Sequence, residues 1–189
     1  MRLSSGMLVG ALGVAFAALA ASDGATVGLP AASLLHPAWH EVKWPFALDE
    51  WGIGRAFRCA PADCGTEVDL YLRAKTGFCN CSTGVSDDDD LDRVGDIALF
   101  SDTFAGLAEG RPVGVGRLRG RLRPYHVNIP YAAPRDMLAI GFNDKCDVAV
   151  ATVLADPDRL TEAGRLALDF LSADQVQRWA AAELGRDGI

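Results

Sequence analysis

"MLAIGFNDKCDVAVATVLADPDRL", residues 137–160, places two apolar runs on either side of the polar or turn-tolerant residues Asn143, Asp144, Lys145 and Cys146. Runs of this length predict strands over 137–142 and 147–154, and the short polar break joins them as a hairpin. Asp156 before Pro157 then reads as a helix N-cap with proline at the first helical position. Leu160, Ala163, Leu166, Ala167, Phe170 and Leu171 follow at helical spacing. Ser172 with Gln175 three residues on has the pattern of a second capping box, and Val176, Trp179, Ala180 and Leu184 continue as a face that stops at Gly185. A hairpin followed by two helices, or by one helix bent at Ser172, sets the fold class as α+β: an antiparallel sheet packed against one or two C-terminal helices.

The chain upstream supplies the rest of the sheet. From Glu67 to Lys75 the sequence alternates, with Val68, Leu70, Leu72 and Ala74 on one side and Asp69, Tyr71, Arg73 and Lys75 on the other, the pattern of a half-buried strand. Residues 86–100 carry Leu91, Val94, Ile97 and Ala98 at helical spacing, with Ser86 and Asp89 as the helix-start pair, and 113–127 return to strand character. An aromatic block, Trp39, Trp44, Phe46, Trp51 and Phe57, is expected to pack over one sheet face; a ligand-stacking platform is the sharper alternative.

The amino terminus decides how the cysteines are read. Arg2 is followed by an apolar run from Met7 to Ala21 that carries Ala18-Leu19-Ala20, the layout of a secretory signal with cleavage near Ala20. The run is short of the roughly twenty residues a bilayer span needs, so no stable membrane anchor is expected after cleavage. Three segments follow: a signal peptide at 1–20, a flexible lead-in rich in Ala, Gly, Ser and Pro at 21–38, and a single disulfide-containing domain at 39–189. Fifteen Arg against three Lys, with abundant Ala, Gly and Asp, is the composition of a GC-rich bacterial genome, so export leads to the periplasm or beyond. Removing Arg2 takes the formal charge from −7 to −8, which argues against nucleic acid or anionic lipid as a partner of the whole surface.

Five cysteines, Cys59, Cys64, Cys79, Cys81 and Cys146, in an exported chain read first as disulfides, and an odd number leaves one over. A straight strand over 67–75 separates Cys64 from Cys79 by tens of ångströms, whereas a bond needs Cα atoms within about 7 Å. The local pair Cys59–Cys64 is therefore preferred. Cys79 and Cys81 share one side of an extended segment, so one of them would bond Cys146 and the other stay free. Three alternatives compete: a strained Cys79–Cys81 ring suited to thiol exchange, zinc on Cys59, Cys64, Cys79 and Cys81, and copper(I) on Cys79 and Cys81.

Arg117, Arg119, Arg121 and Arg123 occupy alternate positions and would form a row on one face of a strand, able to grip carboxylates or phosphates. They are the candidate anion-binding residues, set against the plainer reading that acids elsewhere on the molecule neutralise them. "SDDDDLD", residues 86–92, lacks the glycine and the later glutamate of a calcium loop and reads as a helix start. Pro37 separates His36 from a helical pairing with His40, His126 has no evident nucleophile, and Ser101 beside Asp102 does not make a triad. No haem-attachment or phosphate-loop motif is present, and no cofactor is expected. These residues assign no reaction. They favour a non-enzymatic binding or accessory module for an acidic protein or anionic envelope component, with a thiol redox or copper/zinc handling protein using Cys79 and Cys81 as the alternative.

Overall fold

In chain order the strands are β1 (Trp39–Val42), β2 (Arg55–Cys59), β3 (Val68–Lys75), β4 (Phe104–Gly106), β5 (Arg111–Val115), β6 (Leu118–Val127), β7 (Asp136–Asp144) and β8 (Asp147–Ala155). The helices are α1 (Pro61–Cys64), α2 (Asp88–Val94), α3 (Leu160–Leu171) and α4 (Asp174–Leu184), with 3₁₀ turns at Ile97–Leu99 and Pro157–Arg159. This computed structural model describes residues 39–77, 80–130 and 132–185, so the signal peptide at 1–20 and the lead-in at 21–38 lie outside the described residues. Among the described residues all strands join one antiparallel sheet in the order β1-β2-β3-β8-β7-β6, and β4 and β5 share the outer edge of β6. The protein is α+β, as the hairpin and the two C-terminal stripes imply.

β7 and β8 sit at the centre and are buried on both faces, which explains why their sequences are nearly continuous in apolar residues rather than alternating. One face, with Leu70, Leu72, Leu138, Ile140 and Phe142, packs against the stripes of α3 and α4. Each Leu- or Val-sized side chain buried there stabilises the fold by about 1.5–3 kcal/mol. The other face, with Met137, Ala139, Val148 and Val150, is covered by Val85, by Leu91 and Val94 of α2, and by Ile97. These two layers place the charged side of β3 inside: Asp69, Arg73 and Lys75 are buried, not solvated as half-burial would have it.

Several local expectations shift. Residues 113–127 are not one strand but the β5–β6 hairpin, turning at Gly116 and Arg117, where Gly116 has φ +59°. A Cβ at Gly116 would collide with the Gln177 side chain, so the turn requires glycine both for its backbone and for its closeness to α4. The helix expected at 86–100 stops at Val94, and its cap is Asp87, whose side chain accepts the Asp90 N–H at 2.8 Å. Asp156 does not cap α3. Its carboxylate instead accepts the Thr66 hydroxyl at 3.0 Å, and a 3₁₀ turn intervenes. Ser172 forms no capping box; Ala173 holds the N-cap position of α4, and Ser172 is spent on the hairpin described below.

The aromatic block divides around the sheet instead of covering one face. Trp39 and Phe57 stack on Phe170 of α3 with centroids at 4.8 Å, whereas Trp44 and Phe46 join Tyr71 and Phe100 on the opposite side. Trp39 and Phe57 project from β1 and β2, whereas Trp44 and Phe46 lie in the loop between those strands and pack on the other face, so no single stacking platform forms.

Candidate functional site: the groove at the β5–β6 turn

The alternate arginines of β6 part company along the strand. Arg121 donates from Nε to Asp88 at 2.6 Å and from Nη2 to the Gly110 carbonyl at 3.0 Å. Arg123 donates from Nη1 to both oxygens of Asp92 at 3.0 and 3.1 Å, and Asp92 also accepts the buried Tyr125 hydroxyl. Burial, with the Asp92 contact second, pushes the Tyr125 phenol up. Asp88 and Asp92 stand one turn apart on α2, so the acidic run is the counter-charge of the arginines. The Gly110 N–H, followed by Arg121, holds the Asp88 carboxyl below its usual value. Between the pairs Gly106–Tyr125 and Arg111–Leu122 the edge chain has residues 107–110 where β6 has only 123 and 124. These contacts pin that bulge.

Arg117 and Arg119 are different. Both are exposed, and neither forms an ion pair with any described residue. The backbone around Arg117 is nonetheless fixed: Gly116 N–H donates to Ser172 Oγ at 3.0 Å and Arg117 N–H to Gln177 Oε1 at 3.4 Å, while Gln177 Nε2 donates to the Leu171 carbonyl at 2.8 Å. The turn is thereby fastened to the α3–α4 junction, and a groove of about 580 Å³ opens beside it. Leu118, Ala181 and Leu184 supply its apolar surface, and Arg117 and Arg178 enter from the hairpin and from α4. Asp144, at the end of β7, and Asp174, in the first turn of α4, complete the charged rim. Volumes of about 300–1,000 Å³ are those of small-ligand sites.

Two smaller hollows lie elsewhere. One of about 260 Å³ runs between the bulge and α3 over Leu122, Leu138 and Leu160. Another of about 200 Å³ lies by Trp39 and Phe170, beside the Arg55–Glu41 ion pair.

The sulfurs are largely accounted for. Cys59 bonds Cys64 around α1, and both are buried; Cys81 bonds Cys146 in the β7–β8 turn. Cys79 lies outside the described residues. With the Cys81 sulfur committed to Cys146, and Cys59 to Cys64, the structure forms neither a Cys79–Cys81 ring nor a thiolate set on Cys59, Cys64, Cys79 and Cys81. Among the described residues no three His, Cys, Asp or Glu side chains are grouped to hold a metal ion. These two bonds are of the kind that an oxidising, extracytoplasmic compartment preserves. No helix among the described residues is long and apolar enough to cross a membrane.

His40 is exposed on β1, His36 lies outside the described residues, and the exposed His126 ring places Nδ1 2.9 Å from Asp136 Oδ1. The buried Ser101 hydroxyl lies 2.6 and 2.9 Å from the Thr103 and Asn128 carbonyls, a structural role that closes a loop. Sequence reasoning did not find a buried ionic cluster on the α2 side. Arg73 donates to both Asp96 oxygens at 2.6 Å and from Nη1 to Asp49 at 2.7 and 2.8 Å, and Lys75 Nζ lies 2.9 Å from Asp96. The alternation in 67–75 was the available signal, and it is silent about what covers the polar side.

No family model matches the sequence, and no curated protein matches it. Among solved structures the chain is similar to the solution structure of cyanobacterial PsbP (CyanoP) from Synechocystis sp. PCC 6803, at 14% identity and a TM-score of 0.42, over 71% of this chain and 78% of that one. That likeness is too distant to carry a role across.

Proposed function

We propose that this protein is an exported, non-enzymatic binding module that takes a carboxylate-bearing ligand in the groove beside the β5–β6 turn. One observation carries the reading: Arg117 and Arg178 enter one groove with an apolar floor from two different elements, and neither is neutralised by another described residue. Arg121 and Arg123 belong to the fold, since Asp88 and Asp92 already satisfy them. Of the anion-binding row expected from sequence, Arg117 and Arg119 are the pair without an ion-pair partner among the described residues, and Arg117 lines the groove together with Arg178. A guanidinium fork recognises a carboxylate with two parallel hydrogen bonds, and the fastened backbone at Arg117 reduces what must be ordered on binding. An acidic protein segment or an anionic envelope component would present the same group. Export rests on the two disulfides together with the signal-like residues 1–20.

The test is a titration of the isotope-labelled protein with N-acetyl-leucine. Saturable amide shifts are expected at Gly116, Arg117, Gln177 and Arg178, weakening as salt is raised and disappearing in Arg117→Glu/Arg178→Glu. Thermal stability should fall only slightly in that variant, because the reversal places like charges beside Asp144 and Asp174 but removes no ion pair with a described residue. Shifts that persist through the charge reversal, or no shifts at millimolar ligand, would overturn the reading.

A further inference from the structure

The groove carries as much negative as positive charge, and this narrows the ligand. Asp144 and Asp174 share it with Arg117 and Arg178, and among the described residues none of the four forms an ion pair. Elsewhere exposed or half-exposed charges do pair: Arg165 binds Glu162 and Asp169 on the exposed side of α3, Arg55 binds Glu41 across β1 and β2, and Arg58 binds Asp69 across β2 and β3. In the groove, Arg117 lies on the hairpin, Asp144 at the end of β7, and Asp174 and Arg178 one turn apart on α4, none of them in an ion pair with another described residue. The hairpin is fastened to the α3–α4 junction and to α4 through Ser172 and Gln177.

A ligand bearing only negative charge would be drawn to the arginines and repelled by the two aspartates. A phosphate or a run of acidic residues meets that penalty in full, because like charges brought together oppose binding. Among carboxylate ligands, those with a cation beside the carboxylate are therefore favoured over a purely acidic segment. A molecule with a carboxylate at one end and an ammonium at the other satisfies both pairs. The apolar surface of Leu118, Ala181 and Leu184 between them asks for a hydrocarbon side chain. A volume of about 580 Å³ accommodates more than one amino acid. We infer that the groove binds a short peptide, of two or three residues with apolar side chains and free termini: its carboxylate on Arg117 and Arg178, its ammonium on Asp144 and Asp174. This rests on the carboxylate-binding reading above and adds the ammonium and the side chain to it.

Calorimetry of the full chain with three probes separates the two claims: leucyl-leucine, its N-acetyl derivative, which lacks the ammonium, and leucyl-leucinamide, which lacks the carboxylate. Leucyl-leucine is expected to bind most tightly, with either modified probe about tenfold weaker, the loss of one charge-assisted contact. In Asp144→Asn/Asp174→Asn the advantage of leucyl-leucine over the N-acetyl form should vanish. In Arg117→Gln/Arg178→Gln its advantage over the amide should vanish. All four side chains are exposed, so folding is expected to survive, and a melting curve of each variant checks it. Equal affinity of the N-acetyl form and leucyl-leucine for the unaltered protein would overturn this inference and leave the carboxylate reading standing. Equal affinity of the amide, or binding of none of the three, would overturn both.

Discussion

The two faces of the sheet are closed by different physics. Against α3 and α4 the buried side chains are hydrocarbon, and two amphipathic stripes meet Leu138, Ile140, Phe142 and Val153 with little need for direction. Against α2 and the loops beside it, the interior also holds Arg73, Lys75, Asp69 and Asp96. The segments covering that side have little regular structure. A loop cannot present a continuous stripe, so its position must be fixed by a few directional contacts. Asp49 and Asp96 reach Arg73 from separate loops, and the Lys75 ammonium also donates to the Val94 carbonyl at 2.8 Å. Apolar burial holds the helical face, and ion pairs locate the loop face.

The largest effect should come from removing the shared carboxylate. Asp96→Ala leaves two buried cations short of their common partner, which costs about 3–5 kcal/mol. Replacing the cluster by apolar residues, Arg73→Met/Lys75→Met/Asp96→Leu, should recover most of that loss, because burying charges is itself expensive. Hydrogen exchange in the 43–54 loop should nevertheless be faster in the triple variant, since the contact from Asp49 to Arg73 is gone. Equilibrium denaturation with hydrogen exchange reads both quantities. A triple variant as unstable as Asp96→Ala would break the contrast, for the ions would then be holding the face together as well as locating it.

The disulfides sharpen the same contrast. Cys59–Cys64 spans a sequence separation of 5, and Cys81–Cys146 spans 65, tying the loop face to the β7–β8 turn. Loop-closure entropy gives about 2 kcal/mol for the short bridge and about 4 kcal/mol for the long one. Cys59→Ala/Cys64→Ala and Cys81→Ala/Cys146→Ala, compared by guanidinium denaturation, should therefore differ by about a factor of two in lost stability. Equal losses would mean that the loop face is secured without its covalent tie.

What the sequence disclosed follows the same division. The hairpin, both C-terminal helices and β3 were legible, because apolar period reports directly on burial against a regular element. The polar side of β3 was not, since Asp69, Arg73 and Lys75 alternate in the same way whether water or a loop lies beyond them. The arginine row was visible as a spacing, but only the fold tells that Asp88 and Asp92 stand opposite Arg121 and Arg123 and that Arg117 and Arg119 form no ion pair with a described residue. Arg178 and Asp144 had no signal as site residues. The groove joins a hairpin turn to a helix some sixty residues later through the Arg117–Gln177 contact, and no local pattern encodes such a meeting.

Acid makes the smallest and most discriminating comparison. Asp49 on the loop face and Glu162 on the helical face both have carboxyl pKa values below the ordinary range, in each case chiefly through hydrogen bonds from an arginine, Arg73 and Arg165 respectively. A carboxyl whose folded pKa lies below its unfolded one contributes stability that is present above the unfolded value and is lost as pH falls through the folded value. The unfolding free energy should therefore be level above about pH 5 and decline from about pH 4 downward. The two carboxylates should not share that decline equally. Arg73 is buried and Asp49 is its partner on the loop side, whereas Arg165 and Glu162 are both open to water, where salt and solvent screen the pair. Asp49→Asn is expected to make the acid limb shallower, with Glu41, Asp88 and Asp90 still contributing to it, and Glu162→Gln to leave it parallel to that of the unaltered protein within the error of the denaturation curves. High salt should erase what little Glu162 contributes and leave most of the Asp49 effect, because ions from solution do not reach a buried guanidinium. A Glu162→Gln acid limb as shallow as that of Asp49→Asn would mean that the ion pairs on the two faces are alike, and that burial of Arg73 adds nothing to the way the loop face is held.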